Sequence, residues 1–110
     1  RVHLVNKIAS DHSGGGACIK PDEENASSTY VMPEFDERLS CEAAGGKFLD
    51  ITTVDEILKS SPFGNIVDVM KIDVEGYEPL VLEGSVGLLA RSPPRTVVAE
   101  IIGWRKYCFE

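Results

Sequence analysis

The sequence predicts an α/β fold in which parallel strands are covered by helices. Two runs rich in β-branched residues, 66–72 and 96–102, are apolar almost throughout, as expected of parallel strands buried on both faces. The segment between them, residues 75–92, carries apolar side chains at helical spacing. A strand, a helix and a second strand in this order form a βαβ unit, whose two strands run in the same direction. The order of these three segments therefore decides the fold class.

The helix of this βαβ unit has a recognisable start and end. Pro79 fits the first turn of a helix, whereas Pro93 and Pro94 cannot continue one. Gly84 and Gly87 lower the helix propensity, but either permits close packing against a sheet. We therefore expect one helix over residues 75–92.

A further helix and three short strands are predicted closer to the amino end. Thr53 is suited to cap a helix that begins in the segment TTVDEIL and ends before Pro62. Alternation over residues 2–5 predicts a strand. The segments ACIK and KFLDITT predict two short strands that flank a mobile insertion, and we expect the rest of residues 11–47 to be loop.

Composition and charge exclude several classes of partner. Eighteen acidic residues against eleven basic ones give a net charge of −7, which argues against a nucleic acid or an anionic membrane as the main partner. No apolar run approaches the length of a membrane span. Cys18, Cys41 and Cys108 are odd in number and widely spaced. This favours free thiols over a disulfide or a zinc site and, on that condition, a cytoplasmic location.

Acidic residues gather where the first strand of the βαβ unit ends. Side chains alternate across a strand, so Lys71, Asp73 and Glu75 share one side while Ile72 lies on the other. Ligands of open α/β sheets bind beyond the carboxyl ends of the strands. Glu100 lies near the same end of the second strand. If the two strands are neighbours, we expect Asp73, Glu75 and Glu100 to converge on one edge of the sheet.

A purely structural role for these charges stays open on the residues alone. Asp73 or Glu75 is also suited to cap the following helix, which stabilises by about 0.3–1 kcal/mol. Lys71 lies one step deeper in the strand and is expected to act as the counter-ion of Asp73. The acidic pattern therefore supports a functional and a structural interpretation about equally.

The linked motifs KIDVEG, VLEG and VVAE, preceded by TTVDEIL, resemble the FkbM-type methyltransferases, a branch of the class I methyltransferases that use S-adenosylmethionine. The segment VHLVNKIASD also resembles the part of the family that follows its third strand. The similarity is strong over residues 52–102 and weak over residues 12–47. It implies a partial FkbM-type domain at residues 1–110, with a variable insertion at 11–47 and a helix–strand–helix–strand core at 52–102.

The resemblance also implies a fold and a site. The fold is a Rossmann-like partial parallel sheet with flanking helices, and its first two strands are missing from this chain. Asp73 and Glu75 are implied to be catalytic, because they would position the acceptor hydroxyl or remove its proton. Asn6, Ile8 and Ser10 are implied to contact the adenine side of the methyl donor, S-adenosylmethionine, although the family often has a small residue in place of Ile8. The acceptor is expected to be a small molecule or a glycan-type compound.

The glycine-rich turn that usually binds a nucleoside cofactor is not found in this sequence. The segment SGGGA at residues 13–17 has no apolar strand immediately before it and no helix after it, so we expect it to supply flexibility. Without the first two strands, the sheet is expected to expose unpaired edges and apolar faces. We therefore expect a fragment of a larger methyltransferase, which by itself binds the donor poorly and is inactive.

Two other functions stay open. A non-catalytic binding or scaffold module would keep the fold without the cofactor-binding half. A divalent-metal-dependent hydrolase would use Asp73, Glu75 and Glu100 as oxygen ligands. The weakness of the hydrolase is that no phosphate-binding loop, nucleophile motif or basic cluster accompanies these acids.

Overall fold

The computed structural model describes residues 1–21, 24 and 29–100. The helices and strands in these ranges are, in chain order, β1 (Ile8–Ala9), β2 (Gly16–Pro21), β3 (Thr29–Met32), α1 (Arg38–Ala43), β4 (Lys47–Thr52), α2 (Val54–Lys59), β5 (Val69–Ile72), α3 (Glu78–Glu83), α4 (Val86–Arg91) and β6 (Thr96–Ala99). In the described part of the chain, every helix is too short or too polar to cross a membrane.

The strands form two sheets in a mixed α/β arrangement. In the first sheet, β1 pairs in parallel with β4, and β2 lies antiparallel between β4 and β3. In the second sheet, β5 pairs in parallel with β6, and α3 and α4 connect the two strands. The predicted βαβ unit is therefore confirmed. The first strand of the chain does not join it, because β1 pairs with β4 instead of β5.

That first strand lies further along the chain than predicted. Residues 2–5 form no strand, and Val2 and Leu4 are 92% and 85% exposed. The strand is β1, and a hydrogen bond from Ser10 N–H to Thr52 O (2.8 Å) continues its pairing with β4. The prediction for residues 2–5 was wrong because alternation alone does not form a strand where no partner edge satisfies its backbone groups.

The insertion is more regular than its composition predicts. The two predicted strands are confirmed as β2 and β4, which pair with each other. Strand β3 and helix α1 were not predicted; β3 pairs with β2, and α1 packs beside β2 and β4. These two elements form because they pair or pack with segments distant in sequence, and local propensity does not indicate such contacts.

A disulfide joins Cys18 of β2 to Cys41 of α1. The prediction of three free thiols is therefore wrong, and the condition attached to a cytoplasmic location is not met. Cys108 lies outside the described residues. The spacing of 23 residues showed no pairing motif, because the two cysteines meet only once β2 and α1 have packed together.

Helix α2 forms as predicted, whereas the second predicted helix is divided. Thr53 caps α2, since its Oγ1 accepts a hydrogen bond from Glu56 N–H (3.1 Å). Residues 75–92 form two helices, α3 and α4, with Pro79 in the first turn of α3. The break at Gly84 brings its backbone against the carbonyl oxygen of Ser10, so closely that an added Cβ would collide with that oxygen. A glycine is therefore required there for α3 to approach the first sheet.

Asp55 joins α2 to α4. Its Oδ2 accepts from Gly87 N–H (2.7 Å) and its Oδ1 from Leu88 N–H (2.9 Å), while its own backbone N–H donates to Gly84 O (3.1 Å). The carboxylate thus satisfies two amide groups at the start of α4 that no helical partner reaches. This cap holds α4 against α2, the helix that follows β4.

The second sheet exposes much of its apolar surface. Val69, Val97 and Val98 are 64%, 41% and 50% exposed, whereas Ile72 is buried. The predicted burial on both faces is therefore wrong for the described residues. The expected exposure of apolar sheet faces is confirmed.

Candidate active site

The carboxyl ends of β5 and β6 bring three carboxylates together. The register pairs Ile72 with Ala99, and Glu100 N–H continues it by donating to Ile72 O (3.2 Å). Asp73 and Glu100 therefore follow their strands side by side. One carboxylate oxygen from each of Asp73, Glu75 and Glu100 lies within 4.8 Å of the others. We call these three residues the acidic rim, and their predicted convergence is confirmed.

Close approach within the acidic rim changes how it ionises. The pKa of Glu100 is raised above its ordinary value of 4.5, first by a hydrogen bond with the Asp73 carboxyl group and next by the negative charge of Asp73. Loss of hydration and the charges of Glu75 and Glu78 contribute less. Two carboxyl groups that share a hydrogen bond retain one proton more readily than isolated ones do. The rim thus brings a carboxyl group of raised pKa against the Asp73 side chain on an exposed surface.

The turn after β5 has an unusual backbone. Glu75 has a φ of +49° and Gly76 a φ of +98°, and Tyr77 N–H closes the turn by donating to Val74 O (3.2 Å). A left-handed conformation is unfavourable for a residue with a Cβ, and such conformations cluster at functional sites. Neither Asp73 nor Glu75 caps α3, whose N-cap residue Tyr77 makes no side-chain capping bond. The capping role that the sequence left open for these two acids is therefore wrong.

Lys71 is not the counter-ion of Asp73. Its side chain is exposed, and in the described part of the chain no ion pair joins it to a carboxylate. The alternation that places Lys71 and Asp73 on one side of β5 is correct, since Ile72 between them is buried. The side shared by these two residues faces solvent, where a lysine gains little from holding one geometry. The negative charge of the acidic rim thus stays without a paired cation among the described residues.

The segment assigned by resemblance to the methyl donor, Asn6, Ile8 and Ser10, includes β1 instead of following a strand. Asn6 is exposed, Ile8 is half-buried in β1, and Ser10 is buried. Ser10 Oγ donates to Asp11 Oδ1 (3.1 Å). Hydrogen bonds from His12 and then Ser10 lower the pKa of Asp11. The Ser10 hydroxyl is therefore engaged locally, and its backbone is held by β4.

A cavity of about 250 Å³ connects Ile8 with Asp73. Its walls come from β1, from the β2–β3 hairpin and from the turn after β5; the lining residues are Lys7, Ile8, Ala9, Ile19, Thr29, Val31, Asp73, Val74 and Tyr77. Of the three residues assigned to the donor, only Ile8 lines it, and of the acidic rim only Asp73 does. The structure therefore brings together one member of each predicted group. We call this space the rim cavity.

Two larger cavities lie away from the acidic rim. One of about 490 Å³ is bordered by Ser13, Gly14 and Gly15 of the glycine-rich segment, which has positive φ angles at Gly14 and Gly15. The other, of about 410 Å³, lies between α2 and α4. Neither contains a residue of the acidic rim.

Comparison of the sequence with models of protein families identifies the family of this chain. The methyltransferase FkbM domain matches residues 4–108. This chain belongs to the FkbM methyltransferase family. Membership implies a methyltransferase activity. Neither a curated protein nor a solved structure matches the chain.

Glu78 is a further residue beside the acidic rim, and the sequence did not predict a role for it. Its side chain is fully buried, and its Oε1 accepts from Val74 N–H (3.3 Å), which lies between Asp73 and Glu75. Its Oε2 is buried without a hydrogen-bond partner in the described ranges. The sequence feature that could have indicated this role is an acidic residue two positions after KIDVEG and directly before Pro79. Glu78 thus braces the turn that carries the acidic rim.

Proposed function

We propose that this chain transfers the methyl group of S-adenosylmethionine to a hydroxyl group, with Asp73 as the base and Glu75 as its catalytic partner. The observation that carries the proposal is the convergence of Asp73, Glu75 and Glu100 at the ends of two parallel strands in a chain of the FkbM family. Ligands of parallel α/β sheets bind at such strand ends.

The acidic rim suits the proton transfer that this reaction needs. The acceptor oxygen forms a bond to the methyl carbon while the carbon–sulfur bond breaks, and the hydroxyl proton passes to Asp73. A carboxylate accepts this proton efficiently only when it lies within hydrogen-bonding reach of the hydroxyl, and positioned bases contribute about 10²–10⁴-fold to rate. The pKa of Glu100 is raised first by its hydrogen bond with Asp73, which supports a close contact between these two carboxyl groups.

The charge of the acidic rim fits the methyl donor. When bound, S-adenosylmethionine supplies a methyl group on a positively charged sulfur. Three exposed carboxylates within 4.8 Å attract such a cation, because the described residues provide no lysine, arginine or histidine in an ion pair with them. Asn6, Ile8 and Ser10 remain our proposed contacts to its adenine side, supported by the family match that covers these residues.

We further propose that β5, α3, α4 and β6 are the carboxyl-terminal part of a Rossmann-like sheet. The parallel register of β5 and β6 supports this, and so does the exposure of Val69, Val97 and Val98, which further strands would cover. Residues outside this chain would then hold most of the donor. Residues 1–110 alone would bind it weakly and would not turn over.

Calorimetry and a labelled-methyl assay test the proposal together. The complete natural protein is expected to bind S-adenosylmethionine and to methylate an alcohol or a phenol, whereas residues 1–110 are not. Asp73→Asn is expected to lower kcat by about 10²-fold or more with little change in donor affinity. Asp68→Asn is the matched control, since Asp68 is an exposed aspartate at the opposite end of the same strand.

Each result distinguishes one alternative. A tight donor complex of residues 1–110 would contradict the fragment proposal. Donor binding without transfer to any hydroxyl acceptor would favour the non-catalytic binding module. Equal rates for Asp73→Asn and Asp68→Asn would remove Asp73 from the mechanism.

A divalent-metal-dependent hydrolase is the second candidate, favoured by the distances within the acidic rim. Three carboxylate oxygens within 4.8 Å match the ligand type of Mg²⁺. In that case Mg²⁺ raises the melting temperature, and Asp73→Asn abolishes the increase while Asp68→Asn does not. A melting temperature that Mg²⁺ leaves unchanged would dismiss this candidate.

A further inference from the structure

We propose that the rim cavity binds the methyl acceptor, and that this acceptor is a compact, largely apolar ring carrying one hydroxyl group. The inference rests on the proposed function and makes its substrate class specific. Among the two kinds of acceptor that the sequence left open, it selects a small molecule over a glycan.

One wall of the rim cavity is a continuous face of the β2–β3 hairpin. The register pairs Ile19 with Val31 and Pro21 with Thr29, so these side chains lie on the same side of the hairpin. Ile19, Thr29 and Val31 all line the cavity. Cys18 occupies the alternate position and lies on the other face. The hairpin thus presents a mainly apolar surface toward the turn that carries Asp73.

The opposite wall adds apolar groups and two charged side chains, those of Lys7 and Asp73. Ile8 and Ala9 come from β1, whereas Val74 and Tyr77 come from the turn after β5. Asp73 is the acid on this lining and also belongs to the acidic rim. An apolar ring would occupy the space between the walls while its hydroxyl group points to Asp73. A few polar groups on an apolar lining commonly fix the orientation of a small ligand in this way.

The rim cavity opens to solvent, so its volume sets the size of the part of a ligand that it encloses. An apolar cavity of about 150 Å³ holds benzene. The rim cavity, of about 250 Å³, therefore accommodates a single substituted ring. S-adenosylmethionine carries a purine, a ribose and an amino acid, so the cavity would enclose only a part of it. A glycan would leave many of its hydroxyl groups against apolar walls without partners.

The disulfide gives the hairpin wall a fixed position. Cys18, on the far face of the hairpin, is bonded to Cys41 of α1. Gly46 packs on this disulfide so closely that an added Cβ would collide with Cys18 Sγ. A wall anchored in this manner loses little conformational freedom when a ligand binds.

Ile8 would lie at the boundary between the two substrates. It lines the rim cavity and also belongs to the segment that we propose for the donor. Methyl transfer requires donor and acceptor to be in direct contact. That contact is made by the methyl group on sulfur and not by the adenine, so Ile8 would lie at the edge of the acceptor site and not at the reacting atoms.

Ligand-observed NMR on the complete natural protein tests this inference, with cyclohexanol as the probe and methylcyclohexane and glucose as comparisons. Cyclohexanol is expected to bind, glucose is not, and methylcyclohexane should bind more weakly because it offers no hydroxyl to Asp73. Val31→Trp fills the cavity and is expected to weaken cyclohexanol binding by at least about tenfold. Leu39→Trp is the matched control, since Leu39 is 80% exposed on α1. Ile19→Phe repeats the test if Val31→Trp does not fold.

The outcomes separate this inference from the proposed function. Displacement of cyclohexanol by adenosine would assign the cavity to the donor and overturn the inference. Methyl transfer to small alcohols that Val31→Trp leaves unchanged would overturn it as well, while the proposed function stands. Cyclohexanol binding that depends on Val31, in a protein that methylates no hydroxyl, would instead overturn the proposed function.

Discussion

Asp55 and Asp73 are both aspartates beside the crossover helices, but their surroundings differ completely. The Asp55 carboxylate accepts hydrogen bonds from two backbone amides of α4, whereas the Asp73 carboxyl group faces Glu75 and Glu100. The first arrangement satisfies a negative charge and stabilises the fold. The second repels further negative charge and leaves the group available to a ligand. Neighbouring donors, more than residue type, thus separate a helix-capping acid from one whose carboxyl group is left open to a ligand.

The largest expected effect is at Gly84, whose carbonyl oxygen accepts a hydrogen bond from the backbone N–H of Asp55. Gly84→Ala is expected to lower the free energy of unfolding by about 3 kcal/mol, because the new Cβ collides with the backbone oxygen of Ser10. Chemical denaturation measures this loss. Glu83→Ala, at the exposed preceding position of α3, is the control. Equal stability of the two variants would show that α3 does not approach the first sheet closely.

Removing the Asp55 carboxylate is expected to cost about 2 kcal/mol of unfolding free energy, since two charge-assisted bonds at the start of α4 are lost. Asp55→Ala is compared with Glu56→Ala, which removes only an exposed ion pair with Lys59. The control should change stability by less than about 1 kcal/mol. If both variants lose the same amount, Asp55 is no more structural than a surface acid.

A substitution in the acidic rim is expected to raise the free energy of unfolding instead of lowering it. Glu75→Gly is expected to stabilise the chain by about 1 kcal/mol, because glycine adopts the φ of +49° without a Cβ penalty. Glu75→Ala removes the same charge but keeps the Cβ. The stability difference between the two variants measures the backbone contribution alone. No difference would mean that the turn carries no strain at Glu75.

The smallest effect is a pH-dependent one at Glu100. Because folding raises the pKa of this carboxyl group, the folded protein holds the proton more tightly, and protonation favours folding. Stability from this source is present below the ordinary pKa of 4.5 and is lost as the pH rises through the folded pKa. Glu100→Gln should therefore raise the melting temperature at pH 7 but not at pH 3. An equal increase at both pH values would rule out charge repulsion as the cause.

The elements that the sequence predicted correctly rest on local signals. Thr53 caps α2 through a hydrogen bond to a residue three positions away. The β-branched residues that predict β5 and β6 lie next to one another within each strand. The turn that joins β5 to α3 is likewise only a few residues long. The convergence of the acidic rim followed from strand direction alone, because parallel neighbours end at the same edge.

The wrong predictions share the opposite property. Local alternation placed the first strand at residues 2–5, but β4 offers its edge to Ile8–Ala9. The disulfide, β3 and α1 depend on contacts between segments far apart in the chain, and composition gave no sign of them. Lys71 forms no ion pair with a carboxylate of the described residues, and Glu78 is buried. Both outcomes likewise depend on which side of the turn faces solvent.

The sequence by itself determined the α/β class, the βαβ unit, the family resemblance and the acids at the strand ends, because propensity, periodicity and motif act over a few residues. Only the tertiary structure decided that Asp55 is a helix cap and that Asp73 raises the pKa of Glu100. It also decided that the β2–β3 hairpin closes a cavity beside that aspartate. Electrostatics and packing act through space, so partners distant along the chain set the properties of each carboxylate.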